Sequence, residues 1–185
     1  MISLKPTKGK LLVAEPSILA DKSFNRSVIL LTAHDQEGSV GFIFNKPLEL
    51  QIRDIIPEID SDLPIYNGGP VEQNNLYFVH NIAQLIPDSE KISDDLYWGG
   101  DFTILKQLLN ENKLNNNDIR FFLGYSGWSS KQLDDELKIE SWLVIDNDHE
   151  NIFSTKHNSF WKDELMRFGG DYQIWANAPE DPTLN

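Results

Sequence analysis

SVILLTAHDQEGSVGFIFNK, residues 27–46, is the segment on which the fold turns. SVILLTAH (27–34) is β-branched and almost continuously apolar, so it reads as a buried strand. SVGFIFNK (39–46) reads as a second strand, and DQEG (35–38) as the turn between them. Together they predict an antiparallel hairpin with a short glycine-containing loop. With the turn at 36–38, Arg26 precedes the first strand and Lys46 ends the second. Both then lie at the open end of the hairpin, with Asn45 close by.

Outward from the hairpin, KLLVAE (10–15) reads as a strand broken by Pro16 and the polar residues around Asp21 and Lys22. LQIRDII (50–56) has the apolar spacing of two helical turns. Leu63–Tyr66 and Leu76–His80 read as short strands around the turn NGGP (67–70), and LYW (96–98) as another. Asp101 is placed to cap a helix over FTILKQLLNEN (102–112), with Phe102, Leu105 and Leu109 on one face. IRFFLGYS (119–126) reads as a strand that turns at Gly127 into a helix, with Ser129 and Gln132 spaced as a capping box.

SWLVID (141–146) reads as a strand. SFWKDELMRFG (159–169) reads as an amphipathic helix that buries Phe160, Leu165 and Phe168. DYQIWA (171–176) reads as a last strand. The expectation is an α+β fold in a single domain over residues 1–176: a mostly antiparallel sheet opening with the hairpin, three to four helices packed on it, and a polar tail over 177–185.

The 185 residues are 40% apolar and 11% aromatic, which marks a globular chain. There is no cysteine, which excludes disulfides, thiol catalysis and thiolate metal sites. Sixteen basic residues stand against twenty-nine acidic ones, a net charge of −13. That surface repels phosphate backbones and anionic lipid. No stretch reaches the roughly 18 apolar residues of a membrane span, and the opening MISLKPTKGKLLVAEP holds no signal-like apolar run. A cytoplasmic protein without membrane or direct nucleic-acid contact is expected, with no cofactor or metal.

GYSGW (124–128) places a serine between glycines, as in a nucleophile elbow. That motif is G-x-S-x-G, however, and Trp128 occupies the second glycine position, where helix and strand must pack closely. A structural turn with Trp128 as a packing anchor is the better reading. DNDHE (146–150) resembles a calcium loop, but Asn151 and His157 stand where that loop needs glycine and glutamate. His34 and His80 sit at strand ends, where backbone hydrogen bonds more often satisfy a histidine than a substrate does. The pair Gly68–Gly69 allows positive φ and close backbone approach, a geometry that can present N–H groups to an anion.

The order of short motifs is more specific than any one of them. F-x-R-S-V (24–28), H-x-x-x-G (34–38), G-x-x-x-N-K-P (41–47), G-G-P-V (68–71), L-G-Y-x-G-W (123–128), Q-L-x-x-E (132–136) and W-L (142–143) follow one another along the chain. The sequence thereby resembles the YqgE/AlgH family of bacterial proteins, from about Leu12 to Trp175. The resemblance implies a single-domain cytoplasmic α+β protein with no established enzymatic activity. Some members carry the label of transcriptional regulator. It also implies that Ser126 stands where alanine is common, and Lys131 where glycine is usual. The helix after Ser129 carries Asp134, Asp135 and Glu136, the wrong sign for a DNA groove.

The expected function is therefore a non-enzymatic binding or regulatory protein that acts through a small anionic ligand or a protein partner. Its working surface is expected to gather Arg26, Asn45, Lys46, Gly68, Gly69, Gly124 and Ser126, with Trp128 as an apolar wall. One alternative is a hydrolase-like enzyme using His34 or His80 as base in a glycine-turn cleft. The other is a protein–protein adaptor using Trp161 or Trp175.

Overall fold

A computed structural model describes residues 3–16 and 23–178. Strand β1 (Leu11–Ala14) lies antiparallel to β2 (Val28–His34), and β2 forms the expected hairpin with β3 (Gly38–Ile43). The register runs from Ile29 opposite Ile43 to His34 opposite Ser39, with an irregularity between Leu31 and Ala33. Asp35 shapes the turn: its carboxylate accepts from the N–H groups of Glu37 and Gly38 at 2.8 and 3.2 Å. Val28 to Leu31 are fully buried, because β2 is flanked on both sides by partners.

The chain continues through β4 (Pro47–Gln51), α1 (Ile52–Ile55), β5 (Pro64–Asn67), β6 (Val71–His80), β7 (Glu90–Lys91) and β8 (Tyr97–Trp98). Then come α2 (Phe102–Asn110), β9 (Ile119–Ser129), α3 (Gln132–Lys138), β10 (Trp142–Ile145), α4 (Phe160–Phe168) and α5 (Asp171–Ala176). The sheet order is β10-β1-β2-β3-β9-β6-β8-β7, with β4 and β5 attached beside β9. Among the described residues every pairing is antiparallel except that of β5 with β9. The fold is a single α+β domain with a curled, mostly antiparallel sheet. No described helix is long and apolar enough to cross a membrane.

Strand β9 organises the molecule. Its first half pairs with β5 and β6, and its last residues, Ser126–Ser129, pair with β3. Successive side chains along it point to opposite faces. Phe121 joins a core with Leu105 and Leu109 of α2, while Phe122 joins the larger core of β1, β2, β3 and β10 with Phe160, Trp161 and Leu165 of α4. Each such fully buried side chain contributes about 1.5–3 kcal/mol. Asp101 caps α2 as expected, accepting from Thr103 N–H at 2.8 Å and Ile104 N–H at 3.1 Å.

The structure departs from the sequence reading in five places. GYSGW is not a strand-to-helix turn: β9 runs through it to Ser129, because β3 supplies a partner for those residues. The capping box is half made, since Gln132 accepts from Ser129 N–H at 3.0 Å but Ser129 does not cap the helix. Residues 171–176 form helix α5 and not a strand, which brings the described helices to five. Gly169 and Gly170, both at positive φ, turn the chain back so that α5 packs on α4, with Tyr172 and Ala176 toward the larger core. Within LQIRDII, the first two residues complete β4 and only one helical turn follows. Of the expected buried helix positions, Phe102 is 38% exposed and Phe168 is half-buried.

Candidate functional site

The open end of the hairpin is where the structure gathers positive charge. Asn45 ties that end together: its Nδ2 donates to Arg26 O at 2.9 Å, and its Oδ1 accepts from Val28 N–H at 2.9 Å. This holds Arg26 in a left-handed backbone conformation (φ 53°) that a non-glycine residue adopts only when its surroundings impose it. The Arg26 guanidinium donates to Ala178 O at 2.8 Å and lies 5.0 Å from the centre of the Trp161 ring. Lys46 donates to Ser23 O at 2.8 Å.

The first turn of α4 and the loop before it close the other side. Trp161 is buried, and its indole N–H donates to Ala14 O at 2.8 Å, which fixes the ring beneath Arg26. His157, Asn158 and Lys162 extend the wall. The result is a cleft of about 290 Å³ lined by Arg26, Lys46, Lys162 and His157, with the amides of Asn25, Asn45 and Asn158 between them. Among the described residues its lining contains no carboxylate. The hairpin register made Arg26, Asn45 and Lys46 legible in the sequence. His157, Asn158 and Lys162 were missed as their companions, because only tertiary packing sets α4 against the hairpin.

The other expected site residues lie elsewhere, and none of them lines this cleft. Gly68, Gly69, Gly124 and Ser126 form a buried seam where the β5–β6 turn crosses β9. A Cβ on Gly68 would sit 2.2 Å from Gly124 O, so only glycine permits this approach. The turn's backbone groups are spent internally: Gly68 N–H donates to Leu123 O, and Gly68 O accepts from Ile43 N–H and from Ser126 Oγ at 3.0 Å. Ser126 is fully buried and is a strut in this seam, not a presented nucleophile. Trp128 is also buried. Its indole N–H and that of Trp142 both donate to Glu136, at 2.8 and 2.7 Å, and Phe24 packs against both rings.

His80 is fully buried, and its ring is committed to the backbone. Nδ1 accepts from Ile82 N–H at 3.3 Å, which leaves Nε2–H to donate to Gly99 O at 3.1 Å. Burial pushes its pKa below the ordinary value, with the Gly99 bond as a smaller opposing effect. His34 bonds Ser39 Oγ through Nδ1 at 2.8 Å. Neither ring is hydrogen-bonded to a described carboxylate. Three residues of the acidic loop are held by neighbours: Asp146 pairs with Lys10, Asp148 with Arg167, and His149 with the buried Glu164 at 2.9 Å. Of the two exposed-aromatic candidates, Trp161 is buried and Trp175 is 47% exposed.

Comparisons with known proteins agree with this architecture. The chain matches the family model described as AlgH-like (DUF179) over residues 11–173. It is 44% identical to a UPF0301 protein of Cytophaga hutchinsonii over 181 residues, covering 97% of this chain and 99% of that one. It is 42% identical to a UPF0301 protein of Parabacteroides distasonis over 183 residues, covering 97% and 92%. Two solved structures share the fold. A Corynebacterium diphtheriae protein superposes with TM-score 0.78 at 21% identity, covering 96% of this chain and 95% of that one. The AlgH protein from Pseudomonas aeruginosa superposes with TM-score 0.71 at 23% identity, covering 97% and 98%. With the family model spanning nearly the whole chain and relatives above 40% identity along it, the chain belongs to the AlgH-like (YqgE/AlgH, UPF0301) family.

Proposed function

We propose that the protein is a non-enzymatic binding protein whose basic cleft takes the carboxylate or phosphate of a small ligand. One observation carries this reading: on a chain of net charge −13, a cleft is lined by Arg26, Lys46, Lys162 and His157 and by no described carboxylate. Guanidinium and ammonium groups bind oxyanions by charge-assisted hydrogen bonds, and the intervening asparagine amides add neutral donors. A regulatory role then runs through the ligand or a partner protein. Direct duplex contact does not fit α3, whose Asp134, Asp135 and Glu136 oppose a phosphate backbone.

Inorganic pyrophosphate, titrated at low salt and followed by amide NMR, tests the reading. Shifts are expected at residues 157–162 and at Arg26 and Asn45, weakening as salt rises. Lys162→Glu, at an exposed position, is expected to weaken binding about tenfold, or about 1.4 kcal/mol. An unperturbed spectrum, or equal affinity in the variant, contradicts it.

A further inference from the structure

A second cavity lies toward the turn end of the hairpin, away from the basic cleft at its open end, and shares no lining residue with it. It measures about 460 Å³, within the range of small-molecule sites. Four rings form its walls: Phe42 of β3, Tyr77 of β6, Trp98 of β8 and Tyr125 of β9. Phe42 and Tyr77 have ring centres 5.7 Å apart, and Tyr77 meets Tyr125 edge-on at 5.7 Å.

Two carboxylates are fastened to these walls. Glu90 accepts from the Trp98 indole N–H at 3.1 Å, and Glu72 accepts from the Tyr77 hydroxyl and from Asn75 Nδ2. Those donors hold the Glu72 carboxyl below its usual range, so it is charged at neutral pH. Glu72 also has φ 49°, and it lies where the β6–β9 register shifts between Val71 and Leu76. A second strand irregularity, at Thr32 in β2, borders the same cavity. Strained backbone and strand irregularities of this kind re-aim side chains into sites. The remaining charged lining is Asp35 and Lys8, and His34 stands at the rim. Among the described residues, three carboxylates and one lysine therefore share the lining with the aromatic rings.

We propose that this cavity binds a small organic cation, an amine or quaternary ammonium with a flat apolar body. The ring faces attract the cation's charge, the pinned carboxylates Glu72 and Glu90 neutralise it, and the walls bury the apolar portion. This site is distinct in place and in sign from the basic cleft.

Three probes that share one aromatic body separate charge from shape: benzyltrimethylammonium, benzyl alcohol and phenylacetate. Each is titrated into the unmodified chain and followed by amide and indole NMR. Shifts are expected at the Trp98 indole N–H and at the amides of Thr32, Glu72 and Tyr125. The cation is expected to bind at least about fivefold more tightly than the alcohol, and phenylacetate more weakly than both. The double variant Glu72→Gln/Glu90→Gln, at two exposed positions, is expected to lose the cation's advantage while still binding benzyl alcohol. Probe binding that does not rank by charge, shifts confined to other regions, or no binding of the cation overturns the proposal. The probe ranking on the unmodified chain decides the matter even if the double variant folds poorly.

Discussion

Ser126 shows what a single residue can and cannot reveal. In the sequence it has a nucleophile's glycine neighbours, but in the structure it donates one hydrogen bond across a buried seam and faces no solvent. Arg120 went unremarked in the sequence, yet it is the more demanding residue. It is 5% exposed and donates to Phe44 O at 2.7 Å and Phe153 O at 2.9 Å, and its guanidinium lies 4.8 and 4.4 Å from the centres of the Phe44 and Tyr66 rings. Burial pushes its pKa down, but a guanidinium stays charged. Arg120→Ala leaves two carbonyls unpaired and a cavity, so urea unfolding should register a loss of about 3 kcal/mol. His80 supplies a pH dependence. Its folded pKa is lowered, so between that value and the unfolded value of about 6.5 the unfolded chain binds more protons. Its contribution is complete above about pH 6.5 and is lost as pH falls below it. Urea midpoints measured from pH 7.5 downward should show that decline in the native chain and a shallower one in His80→Gln.

At the scale of elements, local patterns were readable wherever the decisive contacts are local. The β2–β3 hairpin follows from two apolar runs and an Asp-to-Gly turn, and α2 follows from its Asp101 cap and apolar spacing. The end of β9 was misread because nothing within GYSGW says that β3 pairs with it. Helix α5 was misread because a six-residue stretch of mixed polarity is too short to show a period, and its helical form depends on packing against α4. Lys131 connects sequence and structure more closely. It occupies a left-handed conformation (φ 65°) at the N-cap of α3, where the family resemblance implied glycine. Lys131→Gly removes the Cβ penalty of that conformation and should stabilise the protein by about 1 kcal/mol in denaturant unfolding. An unchanged or lowered midpoint would count against strain at this position.

For the whole molecule, the two ends of the β2–β3 hairpin carry different chemistry. The open end of the hairpin meets the first turn of α4 in a basic cleft, and the turn end meets β6 and β8 in an aromatic, acidic cavity. Half of the basic cleft was visible in the sequence because hairpin register is a short-range property. The α4 half was not, because it depends on how a helix late in the chain docks beside Arg26. The aromatic cavity gave no sequence signal, since its walls come from four strands scattered along the chain. On the proposed function, the basic cleft holds a small anionic ligand. Native mass spectrometry of the protein purified gently from its own host, beside its Lys162→Glu variant, tests this most directly. The expected result is a reproducible small-molecule adduct on the native chain that is lost or sharply reduced in the variant. A bare chain, an adduct indifferent to the substitution, or an added mass that is only another protein would contradict it.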